Sequence, residues 1–600
     1  MVRIFWTRLG AVLTRERILL RLATSWCSFV TLLLFLYDGN FGDIAFAQDI
    51  RLYMFLAVIP LFFLVYTILA ALIGTHLQAD SWFLFVTGTV CVWNWLVSYG
   101  DSENRFLFTL AVAVAYTLFL FYIVHMNLPL LQQFQLNEFG LWGGVICLAL
   151  VAGTAIALIT CLRYKTFSAP NFDFGLFCNM FYNMEETGLP LSTCERDRLL
   201  SHFAVHISPV YYLFLPFFYL FPSPLTLQIG QAVVLALGVI PVVLLARHFK
   251  LSKPVTLLLS ALYLFYPALS TGCFYDLHEN CFLPLFLLLT FLFYEKKKYL
   301  PMYLSAILVL SVKEDAAVYL AIFAIYLLLA EKKYLHGTIL AAMAVGYFLL
   351  CGFLLSRFGE GMMVNRFDNL IYDGDMGLLG AIKTAIVNPG YLLTQLFSTE
   401  GNTWEKITYL LQMLLPLGLL PFCAKKASGW LLTLPLLINL LTMYIYQYNI
   451  NFQYHFAILA FLVYAALKNL SDLTAPTQRT MLTIAASCCL CLYLSMVAPK
   501  VGYYVGIWAN HQDTFEQMEE ILDTVPEDAS VAASTFLVAH LADREEIYEI
   551  RYHEKKTDVD YAVFDMRYPS DEDLFEYYRE NGYEIISGDQ SLILVLKKNG

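Results

Sequence analysis

The sequence predicts a polytopic α-helical membrane protein with about 15 spans, followed by a small α/β domain in water. Hydrophobic residues make up 59% of the 600-residue chain and charged residues only 14%, whereas a soluble protein carries about 25% charged residues. Many apolar stretches approach the length of about 20 residues that a bilayer core requires. Residues 511–600 hold 22 acidic and 8 basic residues, so the net charge of −11 is concentrated in the tail.

The chain divides into three parts by composition. Four candidate spans lie in residues 1–135, eleven lie in residues 136–504, and none lies in residues 505–600. The candidate spans are 18–37, 52–73, 81–99, 106–125, 141–162, 224–246, 254–273, 281–294, 300–313, 315–330, 336–355, 404–422, 428–446, 455–468 and 479–497. A further apolar stretch, 210–221, is too short to span and fits a re-entrant or interfacial segment.

Positive charge predicts the orientation, because loops rich in Lys and Arg stay in the cytoplasm. The first 21 residues hold five arginines, so we expect the N-terminus inside, in the plasma membrane of the cell. The basic loops "RHFKLSK", "EKKK", "EKK" and "KK" then also fall inside, provided that 210–221 does not cross. The tail falls outside. Arg163 and Lys165, at an outer helix end, depart from the rule.

The tail has the pattern of a mixed α/β domain. "FEQMEEILDTV" (515–525) and "DEDLFEYYREN" (571–581) have helical periodicity, and Gly582 ends the second helix. "SVAAS" and "DYAVFDM" are typical of strands, and "YEIISGDQSLILVL" predicts a closing hairpin. We find neither a glycine-rich phosphate loop nor a nucleophile motif in this part of the sequence.

Four polar clusters fall on the same predicted outer face. They are the loop 163–207 with Asp173, His202 and His206, the junction "FYDLHE" (274–279), the triplet Lys313-Glu314-Asp315, and the junction "QYNINFQYH" (447–455). Ionisable groups at membrane depth usually mark a functional site. The co-location therefore predicts one extracytoplasmic site. Two cysteines of the first loop, Cys178 and Cys194, could pair if that loop is extracellular.

Each cluster also has a structural interpretation. The triplet would serve as a solvated turn, although a plain hairpin favours Gly, Pro, Asn or Ser. Asp173 would serve as a turn aspartate, but its phenylalanine neighbours argue against free solvation and favour a general base. A lone His206 or His455 is often a structural histidine. Asp276, His278 and Glu279 are harder to explain this way, because three ionisable groups at one helix end are unusual.

The motifs "DFG", "HISP", "LHE" and "KEDA" resemble those of the bacterial and archaeal polytopic family catalogued as domain of unknown function two thousand and seventy-nine. That family looks like a branch of the GT-C superfamily of membrane glycosyltransferases. The resemblance covers about 140–600 and leaves the first 135 residues as added spans. The matching residues are Asp173, Gly175 and Asn179; His206 and Pro209; Pro224 with Gln228 or Gln231; Asp276, Leu277 and His278; and Lys313, Glu314, Asp315 and Ala316.

The resemblance implies a polyprenyl-phosphate-sugar donor, a membrane-lipid environment, and an envelope glycan, lipid or protein as acceptor. It implies Asp173 as the base of an inverting transfer, and Lys313, or Arg163 and Lys165, as the phosphate contact. The predicted catalytic residues are Asp173 and His206, and the predicted substrate-binding residues are Asn179, Asp276, His278, Glu279, Lys313, Glu314, Asp315 and His455. A single outer aspartate, in place of paired acids, gives no indication of a metal, and no other cofactor or nucleic-acid partner is expected.

Two other classes of function stay open. A lipid or polysaccharide transporter or flippase would need internal repeats and polar residues near helix midpoints, whereas the charges here gather at one face. A non-catalytic envelope scaffold would need no cluster of ionisable groups at the membrane.

Overall fold

The computed structural model describes residues 10, 13–37, 41–48, 50–73, 77–99, 104–363, 365–372, 377–399, 401–553, 556–568 and 571–599. Its first part is a set of apolar helices. They are α1 Arg15–Leu36, α2 Leu52–Ile73, α3 Leu77–Ser98, α4 Arg105–Met126 and the short α5 Leu128–Gln133. Their outward faces are largely apolar, as expected of helices that contact lipid.

A buried ion cluster joins three of these helices. Arg17 Nε donates to Asp80 Oδ2 at 2.5 Å, and Arg21 Nε lies 3.2 Å from Asp80 Oδ1. Arg21 also donates to Thr67 Oγ1 of α2 at 2.6 Å. Because these contacts involve the first turns of α1 and α3, the two helices begin at the same end of the bundle.

The middle of the chain is a larger bundle around a central helix, Phe456–Ser471. Almost every residue of that helix is buried, as its uniformly apolar sequence requires. The helices of this part are α6 Glu138–Lys165, α7 Leu176–Thr187, α8 Leu215–Leu220, α9 Pro224–Leu237, α10 Val239–His248, α11 Lys253–Leu264, α12 Pro267–Thr271, α13 Leu283–Glu295, α14 Tyr299–Leu310, α15 Ala316–Leu329, α16 Tyr334–Phe358, α17 Leu378–Val387, α18 Pro389–Phe397, α19 Thr403–Leu414, α20 Leu434–Leu441, α21 Phe456–Ser471, α22 Ala475–Met496 and α23 Ala498–Asn510.

The predicted count of about 15 spans is not confirmed. Among the described residues, ten helical segments are long and apolar enough to cross a membrane. The predicted spans at 300–313 and 315–330 are helices of 12 and 14 residues, well below the length of about 20 that a bilayer core needs. The predicted span 428–446 is broken into a 3₁₀ segment and the eight-residue α20. These short helices are only partly buried: α14 packs Met302, Ala306 and Val309 against the bundle and leaves Leu300, Leu304 and Ile307 exposed.

The C-terminal part is a five-stranded sheet with a helix on each face. The elements are α24 Gln512–Leu522, β3 Val531–Ala533, β4 Ile547–Glu549, β5 Tyr561–Asp565, α25 Glu572–Glu580, β6 Tyr583–Gly588 and β7 Ile593–Lys598. The strand order is β4-β3-β5-β7-β6, with β4, β3 and β5 parallel and the β6–β7 hairpin antiparallel. The predicted helices, strands and closing hairpin are all present. Only the three-residue β4 was not predicted.

The sheet domain docks on the polar loop 163–207. Asn171 Nδ2 donates to Glu549 Oε2 at 2.9 Å, and Thr193 Oγ1 donates to the carbonyl oxygen of Ile547. The ring of His540 stacks on Phe167 with centroids 3.8 Å apart. In the loop itself, β1 Leu191–Ser192 pairs antiparallel with β2 Leu200–Ser201. The domain therefore lies directly over the polar clusters.

The expected disulfide in this loop is absent. Cys178 and Cys194 are both free thiols, and Cys194 Sγ instead contacts the carbonyl oxygen of Ile547 at 3.3 Å. The expectation was wrong because sharing a loop does not bring two sulfurs into bonding geometry: Cys178 lies inside the buried face of α7, while Cys194 faces the sheet domain.

Candidate functional site

A cavity of about 840 Å³ lies where the polar loop, the 274–279 junction and the 444–454 segment meet. Its volume is within the range of about 300–1,000 Å³ for small-molecule sites. Five of the predicted site residues line it, and aromatic rings form much of the remaining wall. The five are Asp173, His206, His278, Glu279 and Lys313, and the rings include Phe172, Tyr275, Tyr444, Tyr446, Phe452 and Tyr454.

Asp173 is presented to the cavity by a single π-type turn, Asn171–Gly175. Gly175 is required there, because a Cβ would collide with the side chains of Asn171 and Val538. The Asp173 side chain is one third exposed, and its Oδ2 lies 3.2 Å from Nε2 of His278. The carboxylate is thus fixed by a neighbour and still accessible from the cavity, as a base or an ion-pairing group needs to be.

His278 is fully enclosed beneath Asp173. Burial opposes its charge, but the carboxylates of Asp173 and Glu279 outweigh burial and raise the pKa of His278 above its usual value. Its ring contacts the edge of Phe177 and stacks near Tyr275, at centroid distances of 5.7 and 6.2 Å. The histidine therefore supports the position and negative charge of Asp173.

Lys313 is neutralised within the site. Its Nζ lies 2.8 Å from Glu279 Oε1, and Tyr211 Oη donates to the other oxygen of Glu279 at 2.6 Å. Burial disfavours the ionised Glu279 carboxyl, but the Lys313 charge lowers its pKa below the usual range. The predicted phosphate ligand is consequently a paired cation at the cavity wall.

His206 and Glu314 form a second pair beside Lys313. His206 Nδ1 lies 2.8 Å from Glu314 Oε1, and the backbone N–H of Ile207 donates to Glu314 Oε2 at 3.0 Å. Burial and the nearby Lys313 charge lower the pKa of His206, which favours its neutral form. His206 reaches the cavity, whereas Glu314 holds it in place from behind.

Asp315 differs from its two neighbours, because its Oδ1 is buried without a hydrogen-bond partner among the described residues. Burial raises the pKa of Asp315 to about 6, and the charges of Glu314 and Glu279 add to the rise. The triplet that the sequence singled out thus contains a cation paired across the site, a carboxylate paired with a histidine, and a carboxylate with an orphaned oxygen.

Five predicted substrate-binding residues lie outside the cavity lining, namely Glu314 and Asp315, described above, and Asp276, His455 and Asn179. Asp276 accepts from Arg163 Nη2 at 3.2 Å and from Gln228 Nε2 at 3.0 Å, which ties α6 to α9. His455 Nε2 lies 2.7 Å from the carbonyl oxygen of Ala268. Asn179 donates to carbonyl oxygens of the sheet domain. The structure gives the last three side chains supporting roles, because their polar atoms are buried and engaged with protein.

The predicted alternatives for the phosphate contact are also paired. Arg163 contacts Asp276 and donates to Tyr504 Oη at 3.1 Å, and Lys165 lies 3.9 Å from Glu519. Neither lines the cavity as described. These contacts explain why α6 ends with two positive charges: Arg163 pairs with the 274–279 junction, and Lys165 lies near the C-terminal part.

Arg366 is the cavity residue that the sequence did not reveal. Its guanidinium lies over the rings of Tyr444 and Tyr454, at 4.5 and 5.0 Å from their centroids. Within the described part of the chain, no carboxylate lies within ion-pair distance of it. It occupies a 3₁₀ segment, Asn365–Leu370, that carries no recognisable motif. The available signal was the aromatic run "MYIYQYNINFQYH", which supplies the rings beneath it.

No metal centre is apparent in the described ranges, where no group of three or more His, Cys, Asp or Glu side chains is arranged to hold an ion. The charged residues of the cavity are largely paired, through the Asp173–His278, Glu279–Lys313, Glu314–His206 and Glu195–His202 contacts and through those of Asp197 with His553 and Lys556. Arg366 makes no ion pair among the described residues, and its positive charge acts on the buried Asp315. The cavity therefore suits a ligand that has a hydrophobic or sugar-like surface and one anionic group.

Comparison with known protein families gives a match over most of the chain. The model of the family described as "Predicted membrane protein (DUF2079)" matches residues 163–594. No curated protein matches the chain. The family match begins at the end of α6 and contains every candidate site residue, and its description does not extend to the GT-C resemblance, which stays a prediction. Since the match covers more than half of the chain, the protein belongs to this family of membrane proteins.

Proposed function

We propose that the protein is a membrane glycosyltransferase that moves a sugar from a polyprenyl-phosphate-linked donor to an extracytoplasmic cell-envelope acceptor. One observation carries the proposal: an accessible carboxylate, Asp173, shares a large aromatic-walled cavity with Arg366, a cation that makes no ion pair among the described residues. A glycosyl phosphate has matching parts, namely a sugar ring, an anomeric carbon open to attack and an anionic leaving group.

The reaction follows from these positions. The acceptor oxygen forms a bond to the anomeric carbon while the bond from that carbon to the phosphate oxygen breaks, and configuration is inverted. The acceptor proton passes to Asp173, and the electron pair leaves with the polyprenyl phosphate. His278 holds the carboxylate in place. Arg366 stabilises the phosphate charge that grows as the bond breaks, which is the form of stabilisation that contributes most to catalysis.

The lipid part of the donor needs an apolar path. A groove of about 520 Å³ lies between α6 and the α9–α10 pair, with walls that include Trp142, Ile146, Val233 and Ile240. Since α6 ends beside the site at Arg163, a polyprenyl chain in this groove would have its phosphate end toward the cavity. We assign the groove to the donor tail.

The proposed reaction takes place outside the cytoplasm. The basic loops 247–253 and 295–298 lie at the ends of α10 and α13, away from the sheet domain, and the tail is strongly acidic. Protease added to intact spheroplasts should therefore release the sheet domain. Release only after lysis would place the site in the cytoplasm and refute this orientation.

The test is donor consumption by the full chain in proteoliposomes, with radiolabelled polyprenyl-phosphate hexoses and a cell-envelope extract. Asp173→Asn keeps the shape of the side chain and removes its basicity, so turnover should fall about 10²–10⁴-fold while donor binding is kept. Glu186→Gln, at the exposed end of α7, is the matched control. Movement of intact donor across the bilayer without cleavage would show a flippase instead, and wild-type turnover in Asp173→Asn would remove the assigned base.

A further inference from the structure

A second cavity lies beside the first, between the sheet domain and the polar loop. It has a volume of about 590 Å³ and shares two wall residues, Phe172 and Tyr275, with the main cavity. Phe172 directly precedes Asp173. A molecule in the second cavity, which we call the crevice, would thus extend past the aromatic wall to the carboxylate without leaving the protein surface.

The crevice is placed by the topology of the sheet. Ser534, Thr535 and Phe536 follow β3, Asp565 ends β5, and Arg551 follows β4. These three strands are parallel neighbours, so their carboxyl ends meet at one edge. In open α/β sheets, ligands bind in the crevice outside the carboxyl ends of the strands. Here that edge faces the loop carrying Asp173.

The floor of the crevice is rigid, because its polar groups are hydrogen-bonded to one another. Ser534 Oγ donates to Asp571 Oδ2 at 2.6 Å and accepts from the backbone N–H of Asp565. Arg567 donates to both oxygens of Asp565. The backbone N–H of Asn171 donates to the carbonyl oxygen of Thr535, which fixes the loop to the sheet edge. A ligand therefore meets preorganised polar groups, which reduces the entropy cost of binding.

The rim of the crevice is aromatic and exposed. The side chains of Phe172 and Tyr568 are 46% and 44% exposed, and Phe536 packs against Tyr568 with centroids 5.1 Å apart. The Arg551 guanidinium lies 5.6 Å from the Phe172 ring centroid. Exposed aromatic surface on a water-facing domain marks a binding site. Aromatic faces beside carboxylates and a guanidinium match a pyranose, which has an apolar C–H face and a rim of hydroxyls.

We infer that the acceptor is a glycan, and that it binds in the crevice with its reactive hydroxyl directed toward Asp173. This inference rests on the proposed function and names its second substrate. The acceptor hydroxyl gives its proton to Asp173 and its oxygen bonds to the donor's anomeric carbon, as in the reaction above. The crevice shares no wall residue with the apolar groove assigned to the donor tail, which disfavours a lipid acceptor. Its exposed aromatic rim suits a sugar ring better than an extended peptide.

The experiment uses the full chain in nanodiscs with radiolabelled polyprenyl-phosphate hexose. Polysaccharide, protein and lipid fractions of a cell-envelope extract are offered separately as acceptors. Transfer to each fraction is measured beside release of free sugar to water, which needs no acceptor. We expect label in the polysaccharide fraction alone. Label in the protein or lipid fraction would overturn the inference.

The variants test the crevice itself. Tyr568→Ala should lower transfer at least 10-fold through the acceptor KM, whereas Tyr568→Phe keeps the ring and should retain transfer. Tyr577→Ala, on α25 of the same domain and outside the crevice lining, is the control. Transfer by Tyr568→Ala at the wild-type rate would refute the placement of the acceptor in the crevice.

A separate binding measurement distinguishes failure of this inference from failure of the proposed function. Wild-type protein that neither transfers nor releases sugar would refute the proposed function. In that case, retention of the labelled polysaccharide fraction by nanodiscs tests whether the crevice binds glycan. Retention lost in Tyr568→Ala and kept in Tyr577→Ala would support a glycan site, and no retention by the wild type would overturn it.

Discussion

Asn179 offers the sharpest test of how the sheet domain is held over the cavity. Its side chain is fully buried, and Nδ2 donates to the carbonyl oxygens of Ala542 and Arg544 at 3.1 and 2.8 Å. Its Oδ1 accepts from the backbone N–H of Thr193 at 3.2 Å. The sequence predicts contact with substrate, whereas the structure predicts a contact between domains.

The magnitude follows from the groups that Asn179→Ala would leave unpaired. These are two carbonyl oxygens and one N–H, and a buried unsatisfied group costs about 1–3 kcal/mol. Even the lower bound gives about 3 kcal/mol, which raises the open population of the domain roughly 100-fold at about 1.4 kcal/mol per tenfold change. The Asn171–Glu549 and Thr193–Ile547 contacts remain, so the domain should still be docked most of the time.

The assay is limited proteolysis of the purified protein under native conditions, because cleavage tracks the open population when opening is fast. Asn183→Ala is the matched control. Asn183 lies one turn further along α7, and its Nδ2 donates to the carbonyl oxygen of Asn179 within the same helix. We expect release of the domain to accelerate in Asn179→Ala and to change little in Asn183→Ala. Equal rates in both variants would refute the assigned contact.

Three further predictions concern the cavity. Arg366→Gln should weaken binding of polyprenyl phosphate to nanodiscs about 10–100-fold, since a hydrogen bond to a charged group contributes about 1.5–3 kcal/mol; unchanged binding would remove the phosphate assignment. Lys313→Met should destabilise the protein by about 3–5 kcal/mol because it leaves Glu279 buried and unpaired, and the double variant with Glu279→Gln should recover most of the loss in thermal unfolding. Burial raises the pKa of Asp315 to about 6 from 3.8, so ionisation opposes folding and stability should fall as pH rises from about 4 to 6. Asp315→Asn should flatten this profile and add about 3 kcal/mol at pH 7, and an unchanged pH profile would contradict the raised pKa of Asp315.

Local sequence patterns predicted much of the fold, because hydrophobic periodicity records which face of an element is buried. The helix at Glu572–Glu580 has its buried residues at helical spacing, and the hairpin Tyr583–Lys598 joins two short apolar runs across the turn "GDQ". The three-residue β4 is too short for such a pattern to register. The apolar helices α14 and α15 looked like spans because composition alone does not distinguish burial in protein from burial in lipid.

The site was predictable where charge interrupts an apolar stretch, as at Lys313 and His278. It was not predictable where the partners are distant in sequence. Arg366 meets Tyr444 and Tyr454 only after the chain has folded, and nothing in "VNRFDN" indicates those rings. Asn179 follows the family pattern, but its partners lie more than 360 residues further along the chain.

The ion cluster in the N-terminal helices constrains how the protein enters the membrane during synthesis. Asp80 lies in the first turn of α3 and is completely enclosed between Arg17 and Arg21, so the cluster lies at the end of the bundle where α1 and α3 begin. The ribosome delivers α1 some 60 residues before α3, and breaking a buried ion pair costs about 3–5 kcal/mol. We therefore expect the two arginines to stay hydrated at the membrane surface until Asp80 arrives, and the first helices to pack together only then.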